Sequence, residues 1–96
     1  MTQPTVSPKA RADIAGIWDD TVARWGHARA VVYVRKIEAA FVTLSSNPDA
    51  GRRCDEIRPG YRRYPVGKHV VFYRVVHGIL DVVRVLHGRM DFPRHL

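Results

Sequence analysis

Ten basic or imidazole side chains in the last third of the chain are the residues best suited to chemistry. They are Arg62, Arg63, Lys68, His69, Arg74, Arg84, His87, Arg89, Arg94 and His95. Guanidinium and ammonium groups bind phosphates and carboxylates, so this set could hold a polyanion. Such a set could also cleave RNA without a metal, with His or Tyr transferring protons and Arg or Lys stabilising the charged phosphorane. For any single residue, the alternative is an ordinary solvated or paired surface charge.

Arg84 differs from the rest because it interrupts an otherwise apolar strand. An unpaired charge in such a strand would be costly, so Arg84 needs either a partner within the chain or a ligand. For Arg74 we expect a cross-strand ion pair with Asp81.

Several other chemistries have little support in the sequence. The five histidines lack a helical i,i+4 pair, and there is no cysteine cluster, so we predict no metal site. No glycine-rich phosphate loop follows a strand, and we predict no cofactor. Asp55 and Glu56 are adjacent and would point to opposite faces of a strand, which disfavours a paired-carboxylate hydrolase.

The length and charge of the chain restrict its class. Ninety-six residues fit a single domain, residues 1–96. Of the net charge of +7, nearly all lies in residues 52–96, which have 10 Lys or Arg against 4 Asp or Glu. Such a balance favours nucleic acid, a membrane surface or an acidic protein as partner, and simple solubility is the alternative that charge alone leaves open.

The cysteine count and the apolar runs bear on location. Cys54 is the lone cysteine, so no intrachain disulfide can form, and we expect a reducing cytoplasm. The N-terminus lacks the basic and apolar regions of a signal peptide. The longest uninterrupted apolar run, residues 30–34, is much too short to cross a bilayer, so we expect no membrane association.

The elements that must position these residues begin with two helices. Ser7 and Pro8 form a helix start, apolar residues follow at helical spacing to Trp25, and Gly26 ends the helix. A second helix is predicted over residues 28–46, and Pro48 stops it. A connection this short makes the two helices an antiparallel hairpin. Trp18 and Trp25 lie on the apolar stripe. We therefore predict that their side chains pack within the protein and do not stack on nucleic-acid bases.

The pattern then changes to a period of two. Strands are predicted over residues 3–6, 61–66, 68–76 and 79–87, and Pro65 indicates that the strand 61–66 lies at a sheet edge. A two-residue turn at His77 and Gly78 would join the last two strands and place Val76 opposite Ile79. The resulting register predicts the following pairs: Arg74–Asp81, Tyr73–Val82, Val75–Leu80, Phe72–Val83, Val70–Val85 and Val71–Arg84.

This register makes both faces of the strand pair apolar. The helical hairpin can cover one face only. The other face requires either the tail over residues 90–96 or a partner protein, and we favour a partner because large exposed apolar patches are rare on monomers.

Five segments of the chain resemble ParE-type toxins of the RelE/ParE superfamily, in the same order along the sequence. The quoted residues are Ser7-Pro8-x-Ala10-x-x-Asp13-Ile14-x-x-Ile17-Trp18, Arg24-Trp25-Gly26, Asn47-Pro48-x-x-Gly51-Arg52, Tyr61-Arg62-Arg63 with Val66-Gly67-x-His69-Val70-Val71-Phe72-Tyr73-Arg74, and Val83-Arg84-Val85-Leu86-His87-Gly88-Arg89-Met90-Asp91. The last two segments together are specific, and the resemblance covers nearly the whole chain.

This resemblance implies an α+β fold, with an N-terminal antiparallel helical hairpin packed on a small, mostly antiparallel β-sheet. It also implies a partner, a ParD-like antitoxin lying along the helical hairpin and reaching the sheet, which would cover the second apolar face. The antitoxin-binding residues expected from it are Trp18, Trp25, Tyr33, Tyr73 and Val75.

The resemblance further implies an inhibitor of DNA gyrase that has no catalytic centre and blocks replication until the antitoxin neutralises it. The target-binding residues would be Arg84, His87, Arg89 and Arg94, with no sequence-specific DNA binding by this chain.

The alternative is a RelE-like mRNA endonuclease that acts on the ribosome. The late aromatic residue of such enzymes falls near Leu96, which cannot transfer protons, so His87, Arg89 and His95 would have to act instead. A neutralised domain whose own activity has decayed is a third interpretation.

Overall fold

The computed structural model describes residues 3–96. Its elements in chain order are β1 (Thr5–Val6), α1 (Pro8–Trp25), α2 (His27–Ser46), a 3₁₀ turn (Pro48–Ala50), β2 (Arg52–Arg53), β3 (Arg62–Val66), β4 (His69–Val76), β5 (Ile79–His87) and α3 (Phe92–His95). The strands form one sheet in the order β1-β5-β4-β3-β2. Only the β1–β5 pair is parallel. The α+β architecture predicted from the sequence is therefore confirmed, with a helical hairpin on a mixed five-stranded sheet.

The ends of the helices follow the local signals. The Ser7 hydroxyl accepts a hydrogen bond from the Ala10 N–H at 3.0 Å, and Pro8 occupies the first helical position. Gly26 has φ +90°, a backbone conformation that side chains disfavour, and this lets α2 begin one residue later. The second helix starts at His27, one residue before the predicted start. Both helices bury an apolar face on the sheet, and its buried residues are Ala10, Ile17, Ala30, Ile37, Ala40, Phe41 and Leu44.

The β4–β5 hairpin turn is the predicted two-residue turn. His77 and Gly78 have φ of 52° and 77°, the two positive values that a type I′ turn requires. The four pairs nearest the turn are those predicted: Val76–Ile79, Val75–Leu80, Arg74–Asp81 and Tyr73–Val82. Arg74 also forms the expected ion pair, with Nε 2.9 Å from Asp81 Oδ2.

Beyond Tyr73 the predicted register is wrong, because β5 contains a bulge. Val83 has no partner on β4, so the remaining pairs are Phe72–Arg84, Val71–Val85 and Val70–Leu86. Each later residue of β5 consequently faces the side opposite to the predicted one. The bulge places Val85 in the core under the helices and moves Arg84 to the other face. It therefore avoids burying a guanidinium group in that core.

The edge position predicted for β3 is also corrected. Strand β2 pairs with Arg62 and Arg63, so β3 is not the last strand of the sheet. Pro65 lies beyond the short β2, on the part of β3 that pairs with β4 only. The N–H that proline lacks is therefore not needed for hydrogen bonds to β2.

The second apolar face is covered by the chain itself, which corrects the preference for a partner protein. Cys54, Phe72 and Leu86 are buried there beneath the loop that follows β2 and beneath the C-terminal tail. From the tail, Phe92 packs its ring against Phe72 with centroids 4.8 Å apart, and Leu96 packs alongside. Arg58 donates a hydrogen bond to the Leu96 carbonyl, which holds the tail against the loop that follows β2.

None of the helices over residues 3–96 combines the length and apolar content needed to cross a membrane.

Candidate functional site

Arg84 has its partner within the chain. Its Nε lies 2.8 Å from Asp13 Oδ2, and its Nη2 lies 2.7 Å from Asp13 Oδ1, a two-pronged ion pair between β5 and α1. Both side chains are largely buried, at 15% and 14% exposure. Hydrogen bonding to Asp13 raises the pKa of Arg84 above its usual range. The partner that Arg84 requires is therefore Asp13 of the same chain and not a ligand.

The same ion pair joins three elements. Asp13 Oδ2 also accepts the Val85 N–H at 2.9 Å, at the edge of β5 beyond the short β1. Arg84 Nη1 donates to the His95 carbonyl at 2.9 Å, which holds the C-terminal tail. Near the start of α1, the Ser7 hydroxyl donates to the carbonyl of the bulged Val83 at 2.6 Å. Asp13 and Arg84 therefore tie α1, β5 and the tail together.

The four residues predicted to bind the target do not form one cluster. Arg84 is engaged with Asp13, whereas His87 lies at the end of β5 beside His69, on the side of the helical hairpin. Arg89 is exposed, and Arg94 is 82% exposed, 3.9 Å from Asp91. His95 belongs to the tail on the opposite face of the sheet from His87. The structure therefore does not bring together the histidines that the endonuclease alternative requires.

Tyr73, predicted to bind the antitoxin, is fully buried in the core. Its hydroxyl donates to the Pro48 carbonyl at 2.6 Å and accepts the Gly51 N–H at 2.8 Å. The fit is close, because a Cβ on Gly51 would lie 2.1 Å from the Tyr73 oxygen. Burial raises the pKa of Tyr73. Its side chain offers no surface to a partner, so this assignment is corrected.

The other predicted antitoxin residues reach the surface to different degrees. Trp25 is 58% exposed, so it is not the packing residue that its helical spacing indicates. Trp18 and Tyr33 are half-buried, and Val75 is exposed near the tip of the β4–β5 hairpin. Sequence reasoning missed Val32 and Val42, which are 68% and 64% exposed. Their signal was an apolar residue on the otherwise charged side of α2. Trp25, Val32 and Val42 are called the exposed apolar set below.

A concave site lies between the bend of the helical hairpin and the β3–β4 turn. This cavity, of about 440 Å³, is called the basic cavity, and the lining residues that matter most are Trp25, Arg29, Tyr33, Lys68, His69 and His87. The Arg29 guanidinium lies 5.2 Å from the centroid of the Trp25 ring, within range of a cation–π contact. The sequence grouped Lys68, His69 and His87 as basic residues, but it did not link them to Trp25, Arg29 and Tyr33, which lie on the two helices.

Tyr33 organises the basic cavity. Its hydroxyl oxygen lies 2.6 Å from His69 Nδ1 and accepts the Lys68 N–H at 3.0 Å. The ring packs so tightly on the β3–β4 turn that a Cβ on Gly67 would lie 2.8 Å from it, and Gly67 has φ +57°. Tyr33 therefore fixes the turn that presents Lys68 and His69.

The two imidazoles of the basic cavity touch each other, with ring centroids 5.2 Å apart. Burial, followed by the neighbouring His87, lowers the pKa of His69, so His69 is neutral at neutral pH. His87 Nδ1 accepts the Arg89 N–H at 3.1 Å, which places the proton of a neutral His87 on Nε2. Nε2 of His87 is thus the ring nitrogen that can donate a hydrogen bond.

The described residues 3–96 offer little support for a metal site or a reactive thiol. There, no three His, Cys, Asp or Glu side chains are grouped to hold a metal ion. Cys54 is completely buried, and burial raises the pKa of its thiol, which makes it a poor nucleophile.

The helical hairpin packed on a mixed five-stranded sheet has a counterpart among solved structures. The fold is similar to that of a solved structure titled "Chromosomal ParDE TA system from P. aeruginosa", with a TM-score of 0.75 and 21% sequence identity. That match covers 88% of this chain and 96% of the other, and at this identity it supports the fold alone.

Sequence comparison defines the family. Residues 5–92 match the family described as "ParE toxin of type II toxin-antitoxin system, parDE". Toxin ParE1 of Mycobacterium tuberculosis is 51% identical over 92 residues, covering 95% of this chain and 94% of that protein. Toxin ParE1 of Caulobacter vibrioides is 39% identical with the same coverage. The chain belongs to the ParE toxin family of type II toxin–antitoxin systems.

Proposed function

We propose that this protein inhibits DNA gyrase by binding it, and that a ParD-like antitoxin neutralises it by covering the helical hairpin. The observation that carries the proposal is the 51% identity to a ParE1 toxin over nearly the whole chain. A catalytic role has less support, because His87 and His95 lie on opposite faces of the sheet and Leu96 has no group that transfers protons.

The exposed apolar set supports an antitoxin on the helical hairpin. Trp25, Val32 and Val42 leave apolar side chains in water on an otherwise charged surface. Basic residues lie among them on α2, namely Arg29, Arg35 and Lys36, so a partner segment with apolar and acidic residues would be complementary. Burying Val32 and Trp25 would provide the apolar part of the binding free energy.

The target contact is proposed at Arg89 and Arg94. Both are exposed, and the ion pair of Arg94 with Asp91 is long and in water, so each cation is available to an acidic surface. Arg84 is left out of the contact, because its guanidinium is held by Asp13 and the His95 carbonyl.

A gyrase supercoiling assay with the purified chain tests the proposal. We expect loss of supercoiling and accumulation of cleaved DNA, both reversed by the antitoxin encoded next to the toxin. Arg89→Ala should weaken inhibition about tenfold, the effect of losing one charged contact. Arg11→Ala is the matched control, because Arg11 is an exposed arginine on α1 and is not part of the proposed contact, and it should keep full inhibition.

Unchanged supercoiling in the presence of the protein would refute gyrase as the target. Cleavage of ribosome-bound mRNA by the same preparation would then establish the endonuclease alternative. Binding of the antitoxin is measured separately by calorimetry. Val32→Asp should weaken it and Arg94→Ala should not, and the opposite order would place the antitoxin on the tail.

A further inference from the structure

We infer that the basic cavity is a binding site for a nucleotide phosphate. Neither the family match nor the toxin relatives assign a ligand to this cavity. The proposal does not depend on gyrase or on the antitoxin, since it concerns the free chain.

The charge of the cavity favours an anion. Arg29 and Lys68 line it, and neither has a carboxylate within ion-pair distance among residues 3–96. The carboxylate in the lining, Asp20, is 3.1 Å from Arg24 and is thus already paired. Two cations therefore remain uncompensated in one concavity, where part of the surrounding water is excluded and an anion is attracted more strongly.

The donors favour a phosphate over a carboxylate. Arg29 offers a planar guanidinium, Lys68 an ammonium and His87 the N–H of Nε2, so three side chains supply donors to one cavity. A carboxylate has two oxygen atoms, whereas a terminal phosphate has three and carries up to two negative charges. The backbone N–H of Lys68 is already used by Tyr33, so the turn itself is fixed before any ligand arrives.

The aromatic residue favours a nucleotide over inorganic phosphate. Trp25 is more than half exposed and lines the cavity, so the indole face that Arg29 does not cover can stack on a base. Arg29 already lies 5.2 Å from the indole centroid, so the phosphate-binding guanidinium and the stacking surface are adjacent. A volume of about 440 Å³ is within the usual range for small-molecule sites.

Two sources could supply this chemistry, a free mononucleotide or the end of a single strand. Fluorescence titration of the purified full chain distinguishes them, with AMP, adenosine, inorganic phosphate and a 5′-phosphorylated thymidine pentanucleotide as probes. We expect AMP to bind and adenosine to bind at least about tenfold more weakly, because a charged contact is worth about a factor of ten. Tighter binding of the pentanucleotide than of AMP, with a steeper salt dependence, would identify a strand. Equal affinity would identify a free nucleotide.

Variants locate the site. Lys68→Ala and Arg29→Ala should each weaken AMP binding about tenfold. Arg35→Ala removes an exposed arginine from the same helix, outside the cavity lining, and should change binding less than about twofold. His87→Ala, which removes the Nε2 donor, should also weaken binding.

Three results would overturn the inference. The first is the absence of AMP and pentanucleotide binding. The second is an equal loss with Arg35→Ala and Lys68→Ala, since that would indicate general attraction to a basic surface. The third is tighter binding of a glutamate-rich peptide than of AMP, abolished by Lys68→Ala, which would assign the cavity to an acidic protein segment.

Discussion

Replacing Arg84 with alanine should destabilise the protein strongly. The substitution removes the two contacts to Asp13 and the contact to the His95 carbonyl. It also leaves the Asp13 carboxylate, 14% exposed, with the Val85 N–H as its remaining donor among these contacts. Breaking a buried ion pair by removing one partner costs about 3–5 kcal/mol. Since both groups here keep some contact with water, we expect about 3 kcal/mol.

That loss is large for a chain of this size. A domain of this length has about 5–14 kcal/mol of total stability, and each kcal/mol shifts its Tm by about 4–8 °C. Arg84→Ala should therefore lower the Tm by about 12–24 °C and lower the urea midpoint without changing the slope. The assay is thermal and urea unfolding followed by circular dichroism.

A double-mutant cycle and one control separate the ion pair from other effects. Asp13→Ala should destabilise to a similar extent, and the two substitutions together should cost about 2 kcal/mol less than their sum. Arg94→Ala, at an exposed position, should change stability by less than about 0.5 kcal/mol. A coupling below about 0.5 kcal/mol would refute the structural role of Arg84 and return it to the candidates for target binding.

Two further predictions concern the tail and the histidine pair. Phe92→Ala removes the ring that packs on Phe72, so the tail should open more often. The buried Cys54 thiol should then react with a disulfide reagent about tenfold faster than in the unchanged protein. A rate no higher than that of Arg94→Ala would contradict the covering role of the tail. His69 has a pKa below its usual value when folded, so the unfolded chain binds more protons as the pH falls below about 6.5. The contribution of His69 to stability is complete above that pH and is lost on acidification through its folded pKa. His69→Gln should flatten the decline in Tm between about pH 7.5 and 5, and a decline of unchanged steepness would contradict the reasoning.

Local features of the sequence predicted most of the secondary structure. Ser7 and Pro8 set the start of α1, and Gly26 set its end, because capping and positive φ depend on residues within one turn. The turn at His77 and Gly78 was predicted for the same reason. The hydrophobic period and the turn residues therefore predicted the helical hairpin, four of the five strands and the register next to the turn. The two-residue strand β2 was not predicted, because Arg52 and Arg53 carry no apolar pattern.

The candidate site was predicted less well. The cost of a charge in an apolar strand correctly required a partner for Arg84, but no spacing rule links it to Asp13, 71 residues away. The basic side chains were named individually, whereas the meeting of His69 and His87 beside Tyr33 depends on the packing of α2 against the β3–β4 turn. Trp25 shows the limit of helical spacing, since a residue on the apolar stripe at the end of a helix can extend beyond the core.

The sequence by itself determined the elements, the turn and the need to compensate Arg84, because these follow from interactions between near neighbours in the chain. Only the tertiary structure decided the bulge at Val83 and the cover over Phe72. In both cases the deciding term is burial. The bulge leaves one residue without a ladder partner but places Val85, and not a guanidinium group, under the helices. The tail removes from water the apolar face around Phe72 that the sequence analysis had assigned to a partner protein.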